Sequence, residues 1–209
     1  VIQEFNLQGL YADKNEFSEI KRANLYSKLL KEPAIEIPAN IIDVETAEIS
    51  LRASMTGHLV LSTLHTNDAV SSAMRLMDMG VEPFLAASSL RAIVAQRLVR
   101  KLCSECATAY QPDNIEASWM QRYLTPDVIA NASIRTSAGC AHCNQTGYRG
   151  RIGIYEMLVI KDNIADALRR GNASEFVQLA NAQPGFKPLI VSALEHAVNG
   201  VTTISEVLR

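Results

Sequence analysis

The sequence predicts an α/β protein that carries a metal-binding insertion and ends in a group of helices. From Asp43 onward, apolar residues alternate between helix-type and strand-type spacing over short stretches, which is typical of α/β architecture. Four cysteines form two Cys-x-x-Cys pairs in the middle of the chain, and such pairs commonly supply a tetrahedral metal site. After residue 160 the apolar residues recur at helical spacing, so the fold is expected to close with helices.

The composition is that of a globular protein. The chain has 209 residues, of which 48% are hydrophobic and 20% charged, with a formal net charge of −2. This length suffices for one large core or two modest ones, and the charge argues against a nucleic-acid-binding surface. No apolar run reaches the roughly 18 residues of a membrane span, and no basic stretch followed by an apolar run marks a secretory signal. We therefore expect a cytosolic location.

Residues 1–40 carry no chemical motif. Asp13 followed by Glu16 resembles a capping box, which predicts a helix that Pro33 ends. Residues 34–40, "AIEIPAN", are expected to be extended or loop. The apolar side chains that would share one helix face are Phe17, Ile20 and Leu29.

A helix, a strand and a second helix are predicted next. Asp43 is suited to cap a helix that Gly57 ends. Residues 58–64, "HLVLSTL", are nearly continuous in apolar character, which favours a strand buried on both faces. Thr66 or Asn67 is expected to cap the following helix, which ends at Gly80. The predicted inward positions are Val44, Ala47, Leu51 and Met55 in the first helix, and Val70, Ala73, Met74 and Met77 in the second.

Residues 82–100, "EPFLAASSLRAIVAQRLVR", are predicted to form one further helix, with Pro83 in its first turn. Beyond the insertion, residues 148–160 return to strand character. Four helices should follow, with Gly171 and Gly200 as ends. Their predicted starts are Ser174 and the Thr203–Glu206 capping box.

The insertion, residues 102–147, is predicted to hold structural zinc. Two disulfides or free thiols are the alternatives, and a cytosolic location disfavours the disulfides. Four protein ligands would leave no open coordination position, so the metal would hold the fold and take no part in chemistry. Ile115, Trp119 and Tyr123 are expected to form a small core there, with a partner-contact surface as the alternative. The four ligands are Cys103, Cys106, Cys140 and Cys143.

A polar segment follows the predicted strand, and we name it the phosphate edge: Ser62, Thr63, His65, Thr66, Asn67 and Asp68. Ligands of α/β sheets gather at the carboxyl ends of strands, where the amides of the next helix point at them. A histidine there can donate to a phosphoryl oxygen, and hydroxyls can ligate Mg²⁺. The alternative is a capped helix with a hydrogen-bonded histidine. His58, at the start of the strand, is the weaker candidate.

Two further groups have weaker signals. Arg149 and Arg151 lie among glycines, where they would hold an anion or, more simply, flank a tight turn. Asp43, Glu45 and Glu48 are spaced for a helix start, and acidic residues in a first turn usually complement the helix dipole. A P-loop requires Gly-Lys in G-x-x-x-x-G-K-S/T, and no glycine in this sequence is followed by lysine.

Taken together, residues 43–103, "GCAHCNQTGYRGRIGIYEML" (139–158) and "GVTTISEVLR" (200–209) closely resemble the C-terminal half of the E-type secretion ATPases. These are the extension motors of type II secretion and type IV pilus assembly. The resemblance implies a RecA-like ATPase fold, here its C-terminal portion, with ATP and Mg²⁺ as ligands. It also implies a hexamer at the cytoplasmic face of the bacterial inner membrane, associated with the membrane through its platform proteins.

The resemblance assigns roles and divides the chain. His58 and His65 match the family's histidine box near the terminal phosphate of the nucleotide, which implies catalytic roles, and Thr63 and Thr66 would line the phosphates. The four cysteines match the zinc subdomain of the assembly motors, which favours extension over retraction. The expected divisions are 1–40 without family likeness, 41–101 as partial ATPase core, 102–147 as zinc subdomain, and 148–209 as C-terminal strand and helices.

The sequence departs from the family pattern just before Asp43. Where the family has an acidic Walker-B segment ending in Gly-Glu-Ile-Arg, this chain has Ala39, Asn40, Ile41 and Ile42. This suggests that the nucleotide-binding core is missing between residues 40 and 43, and that the chain alone does not hydrolyse ATP. An alternative function is therefore a catalytically incomplete, zinc-stabilised module that docks to a membrane platform or a sister ATPase. A nucleic-acid-binding zinc ribbon is disfavoured by the acidic "DNIEASW" and the net charge.

Overall fold

The computed structural model describes residues 34–40 and 43–209. The helix predicted between Asp13 and Pro33 lies outside these residues. The elements, numbered in chain order, are β1 (Ala34–Asn40), α1 (Val44–Met55), β2 (Leu59–Thr63), α2 (Ala69–Asp78), α3 (Pro83–Ser89), β3 (Ala92–Leu102), β4 (Ala107–Ala109), α4 (Asn114–Met120), α5 (Pro126–Ala130), β5 (Arg135–Ser137), β6 (Tyr148–Val159), α6 (Asp162–Arg169), α7 (Ala173–Asn181), α8 (Leu189–Val198) and α9 (Ile204–Val207).

The chain divides into two compact units. Of the described residues, the first unit comprises 34–40, 43–66, 72–91 and 160–176, and the second comprises 67–71, 92–159 and 177–209. Among residues 34–40 and 43–209, no helix combines the length and the apolar character that crossing a membrane requires.

In the first unit, β1 and β2 pair in parallel and α1 lies between them in sequence. The extended prediction for residues 34–40 is confirmed. Asp43 caps α1 as predicted, because its Oδ1 accepts a hydrogen bond of 2.7 Å from the Thr46 amide. The helix gives way at Gly57, whose φ of +95° is accessible mainly to glycine.

The prediction that β2 is buried on both faces is wrong. Leu59 is 58% exposed and Leu61 is 56% exposed. Leu59, Leu61 and Thr63 share one face of β2 and are all exposed, whereas Val60 on the other face is half-buried. Within the described residues β2 pairs only with β1, in a two-stranded sheet.

The start of α2 also differs from the prediction. Asp68, and neither Thr66 nor Asn67, caps it: the Asp68 carboxylate accepts from the Ser71 amide at 2.6 Å. Of the four predicted inward positions, Ala73 is buried and Met77 packs against the core of the first unit, whereas Val70 and Met74 are only half-buried. The buried positions are Ala69, Ser72, Ala73 and Leu76.

The core of the first unit joins α1, α2 and α3. It is built from Ala47, Leu51, Leu76, Val81, Leu85 and Ala86. The Ser89 hydroxyl donates to the Leu51 carbonyl at 3.0 Å, so the end of α3 is fixed to α1. Pro83 opens α3 at its first position, as predicted.

The prediction of one helix across residues 82–100 is wrong in its second half. The helix ends at Ser89, and β3 follows as a strand paired antiparallel with β6, from Ala92 opposite Val159 to Arg100 opposite Arg151. β6 supplies the backbone hydrogen-bond partners of β3. Because β6 is distant in sequence, the residues of β3 alone do not indicate that it is a strand.

A β-bulge interrupts this pairing. Arg100 faces Arg151 but Leu102 faces Tyr148, so β6 carries one extra residue. Gly150 lies there with a φ of +79°, as the glycine-containing type of bulge requires. The "GYRGRIG" segment is therefore strand with a bulge, and the predicted tight turn is wrong.

The carboxyl end confirms four helices, α6 to α9, with Gly171 and Gly200 in left-handed conformation at two of the ends. Two details differ. Asn172, and not Ser174, provides the capping acceptor for α7, at 3.1 Å from the Glu175 amide. Thr203 accepts from the Glu206 amide at 3.0 Å, but the Glu206 carboxylate turns to Arg100, so only half of the capping box forms.

The second unit buries its insertion against the last helices. Met120 and Ile134 pack with Leu194, Ala197, Val198 and Ile204. Trp119 packs against this cluster, and its ring meets Tyr123 edge-on at 5.6 Å. The predicted small core is therefore present for Trp119, whereas Ile115 is 80% exposed and takes no part in it.

Candidate metal centre and phosphate edge

The four cysteines lie on two tight segments of the second unit. Cys103 and Cys106 bridge the end of β3 to β4, and Cys140 and Cys143 flank a 3₁₀ turn after β5. Because β4 pairs antiparallel with β5, the two segments are brought together. Gly139 permits the second segment, since its φ is +90° and an added Cβ would lie 2.5 Å from the Gln145 carbonyl oxygen.

The sulfur atoms are spaced for one tetrahedral ion. All four lie within 4.8 Å of one another, and the Sγ–Sγ distances are 3.9 Å for Cys103–Cys140 and 3.8 Å for both Cys106–Cys143 and Cys140–Cys143. A tetrahedron with metal–sulfur bonds of about 2.3 Å has sulfur–sulfur edges of about 3.8 Å. The cysteines are free, and their separations far exceed a disulfide bond of about 2.05 Å. The arrangement thus fits a metal and not the disulfide alternative.

Backbone hydrogen bonds favour the thiolate form of Cys143. Burial opposes ionisation of Cys143, but hydrogen bonds from the Cys140 and Gly147 amides, each at 3.2 Å, outweigh it and lower the pKa of the Cys143 thiol to about 6. Cys106 behaves oppositely. The Ser137 hydroxyl favours its thiolate, but desolvation and the three neighbouring thiols raise the pKa of Cys106 to about 11. A cation at the centre is what would favour ionisation of the whole set.

His58 closes the end of α1. Its Nδ1 lies 2.9 Å from the Thr56 Oγ1 and 3.2 Å from the Ala53 carbonyl oxygen. Since the Thr56 hydroxyl itself donates to the same carbonyl at 2.7 Å, the network is satisfied when His58 carries its proton on Nδ1. Its Nε2 is then an acceptor.

His65 is the phosphate-edge side chain best placed to meet a ligand. It is exposed, and its ring has no hydrogen-bond partner among residues 34–40 and 43–209. Thr63 ends β2 and pairs in register with Asn40 at the end of β1, so the carboxyl ends of two parallel strands meet there. The Thr66 Oγ1 lies 2.5 Å from the Ser72 Oγ, which ties this hydroxyl to α2.

The last two phosphate-edge residues, Asn67 and Asp68, belong to the second unit, and their structural partners lie within that unit. The Asp68 carboxylate caps α2, as described above. The Asn67 Oδ1 accepts a hydrogen bond of 3.0 Å from Arg97 Nη2. Ser62 is an exposed strand residue. The capped-helix alternative thus accounts for Asp68 but not for His65.

The weaker candidates have ordinary surroundings. Arg149 contacts the His142 ring, and Arg151 is an exposed strand residue beside the bulge. Glu48 forms a 3.7 Å ion pair with Arg52 along α1, while Glu45 lies in the first turn of that helix.

The profile of the "Type II/IV secretion system protein" family matches residues 15–209. The chain belongs to the type II/IV secretion system protein family. The match begins ahead of Asp43, where the sequence motifs had placed the onset of likeness, so the family relation extends over residues 15–42 as well.

Named relatives come from both branches of this secretion family. The chain is 42% identical over 181 residues to the type II secretion system protein E of Pseudomonas aeruginosa, covering 87% of this chain and 35% of the relative. It is 40% identical over 187 residues to the type IV pilus assembly ATPase PilB of Myxococcus xanthus, covering 89% and 33%. The chain thus spans about a third of the length of these curated relatives.

Solved structures support the fold of this secretion-family chain. The crystal structure of the pilus retraction motor PilT with bound ADP superposes with a TM-score of 0.59 at 20% identity, covering 93% of this chain and 44% of that one. The ATPase DotB of Legionella pneumophila gives a TM-score of 0.58 at 17% identity, covering 90% and 40%. The predicted α/β fold is confirmed, because the chain shares it with these two solved structures over at least nine-tenths of its length.

Sequence reasoning missed two acidic residues of this secretion-family chain. Glu156 is 4% exposed on the inner face of β6. The signal was present in "IGIYEMLVI": a strand that alternates Ile152, Ile154, Glu156 and Leu158 places a carboxylate on its apolar face.

Glu206 is the second missed residue. The sequence motif predicts that it belongs to the Thr203–Glu206 capping box and gives no sign of its pairing with Arg100. Its Oε1 accepts from the Arg100 amide at 3.0 Å and its Oε2 from the Arg100 Nε at 2.9 Å. The hydrogen bond with the Arg100 guanidinium lowers the pKa of Glu206. The guanidinium also stacks on the Tyr148 ring at 4.0 Å, so Glu206 ties α9 to the bulged end of the β3–β6 pair.

Proposed function

We propose that the chain forms the C-terminal part of a subunit of an ATPase motor that powers type II secretion or type IV pilus assembly. The observation that carries the proposal is about 40% identity to both kinds of protein over nearly nine-tenths of the chain. The proposal includes a homo-hexamer at the cytoplasmic face of the bacterial inner membrane, bound to platform proteins and not to nucleic acid.

In this motor, His65 stabilises the terminal phosphate of ATP and His58 supports it. The exposed, unpartnered ring of His65 at the end of β2 favours this role. Thr63 and Thr66 line the phosphates or their Mg²⁺. His58, held through Nδ1 at the end of α1, keeps Nε2 available as an acceptor.

The four cysteines hold one structural zinc ion. Their tetrahedral spacing and the amide hydrogen bonds to Cys143 favour thiolate ligation, and four protein ligands leave no position for substrate. Zinc content of the purified chain, measured by plasma mass spectrometry, should be one ion per chain. Serine in place of Cys103 should abolish it.

The chain lacks two parts that ATP hydrolysis needs. Without Gly-Lys there is no P-loop, and Ala39–Ile42 stand where the family has its Walker-B glutamate and arginine. We therefore expect no ATP hydrolysis by the chain alone. The alternative, a zinc-stabilised module that docks to a platform or a sister ATPase, shares this expectation and differs in giving His65 no role.

A chimera separates the two functions. Residues 43–209 would replace the corresponding part of the type II secretion system protein E of Pseudomonas aeruginosa, which would supply the sequence ahead of residue 43. The motor proposal expects ATP hydrolysis by the chimera, lowered about a hundredfold by His65→Gln, because a phosphate-directed donor is lost. His196→Gln, a histidine of α8, is the control and should leave the rate unchanged. A folded, zinc-loaded chimera that hydrolyses no ATP, or one indifferent to His65→Gln, would contradict the motor proposal.

A further inference from the structure

Glu156 holds the starts of two helices with one carboxylate. Its Oε1 accepts from the Ala69 amide at 2.8 Å, and its Oε2 accepts from the Leu189 amide at 2.8 Å. Ala69 is the first residue of α2 and Leu189 is the first residue of α8. These two amides lie 120 positions apart in sequence (189 − 69), yet they share one side chain.

Electrostatics explains how this carboxylate is buried. Each helix start carries a partial charge of roughly +0.5, so two of them together balance one carboxylate. Both helices contain ten residues, long enough for aligned peptide dipoles. No Lys or Arg is hydrogen-bonded to Glu156 in the described part of the chain. Helix dipoles and two charge-assisted hydrogen bonds therefore take the place of a cation.

The two helix starts need this acceptor. Pro188, the residue that caps α8, makes no side-chain capping bond. At α2, the Asp68 carboxylate already serves the Ser71 amide, so the Ala69 amide depends on Glu156. Ala69 itself is fully buried, which leaves water no access to replace the bond.

We propose that Glu156 is a positioning residue that ties the last residues of the phosphate edge, through the start of α2, to α8. Asn67 and Asp68 directly precede Ala69, and Arg97 on β3 holds Asn67 from the same strand pair at 3.0 Å. At its other end, α8 packs through Leu194 and Ala197 on the core of the insertion. A displacement of α8 would thus change the position of residues 67–69. The inference rests on the proposed function only in taking these residues as a phosphate edge.

The test is amide hydrogen exchange in the full chain with Glu156→Gln. Glutamine has the same shape but one acceptor oxygen, so it can serve only one of the two amides. We expect exchange at Ala69, at Leu189, or at both to become at least about tenfold faster, as loss of a charged hydrogen bond implies. Bound zinc and the exchange of Ala107–Ala109 in β4 should stay as in the wild type.

Two controls make the result decisive. Glu195→Gln changes an exposed carboxylate of α8 that pairs with Lys187 and should leave the Ala69 and Leu189 amides unchanged. In the wild-type chain, nuclear magnetic resonance should detect scalar couplings across both hydrogen bonds, from each amide nitrogen to the Glu156 carboxyl carbon. Unchanged exchange in folded Glu156→Gln, or no coupling in the wild type, would overturn the inference. Neither measurement uses nucleotide, so a failure of the motor proposal would be seen separately, in the chimera.

Discussion

At the scale of residues, the second unit contains two carboxylates that are stabilised in different ways. Glu156 is balanced by two helix starts, whereas Glu206 is balanced by the Arg100 guanidinium. The ion pair requires the ionised form of the Glu206 carboxylate, because the Arg100 guanidinium stays charged at every pH of interest. The contribution of Glu206 to stability should therefore be sensitive to pH.

Glu206→Gln should lower the free energy of unfolding by about 1–2 kcal/mol at pH 7, because the guanidinium loses its charged acceptor at a partly exposed site. The hydrogen bond with the Arg100 guanidinium holds the pKa of Glu206 below its ordinary value in the folded chain, so the stabilisation is complete above the unfolded pKa and is lost as pH falls through the folded pKa. Urea unfolding of both proteins between pH 7 and pH 3 measures this. A difference that stays constant with pH would contradict the ion pair.

At the scale of elements, sequence predicts what local chemistry determines. The Asp43 cap, the end at Gly57, the paired cysteines and the four last helices depend on neighbouring residues, and all are present. The helix prediction fails at β3 because the strand is stabilised by β6, which begins 46 residues after β3 ends (148 − 102). The exposure of β2 and the hydrogen-bond partners of Glu156 could not be predicted from local spacing either, since both depend on which distant segments the fold brings alongside.

Gly139→Ala should disrupt the second cysteine segment. The added Cβ would meet the Gln145 carbonyl oxygen at 2.5 Å and would have to adopt a φ of +90°, at a cost of about 2 kcal/mol or more. Zinc affinity, measured by competition with a chromogenic chelator, should fall. Gly185→Ala is the matched control, because its φ is +85° but nothing lies within 4 Å of the added atom. It should reduce stability slightly and leave zinc affinity intact; equal effects of the two variants would refute the steric explanation.

At the scale of the whole molecule, the two units are stabilised differently. The first has a core of aliphatic side chains from three helices. The second surrounds its insertion with short elements, β4, α4, α5 and β5, none longer than seven residues. Elements this short bury little apolar area on their own, so a metal site would supply a large part of the local folding free energy.

Removal of zinc by a chelator should therefore affect the units unequally. Amides around Met120 and Ile134 should lose protection against hydrogen exchange, whereas those around Leu51 and Leu85 should keep it. Mass spectrometry of peptides from the treated and untreated chain would measure both. Restored protection on adding Zn²⁺ would show that the loss is reversible, and equal loss in both units would contradict separate stabilisation.

The bulge at Gly150 restricts where insertions and deletions can occur in β6. Side chains on a strand alternate faces, so one extra residue reverses the phase of everything beyond it. That reversal brings Tyr148 under the Arg100 guanidinium and its hydroxyl to within 2.7 Å of the Thr203 hydroxyl. The segment between Tyr110 and Ser133 lies outside this strand pair, so a change of its length would not alter this phase. A single insertion or deletion between Gly147 and Ile152 would turn Tyr148 to the opposite face, and related chains should therefore conserve spacing here more strictly than residue identity.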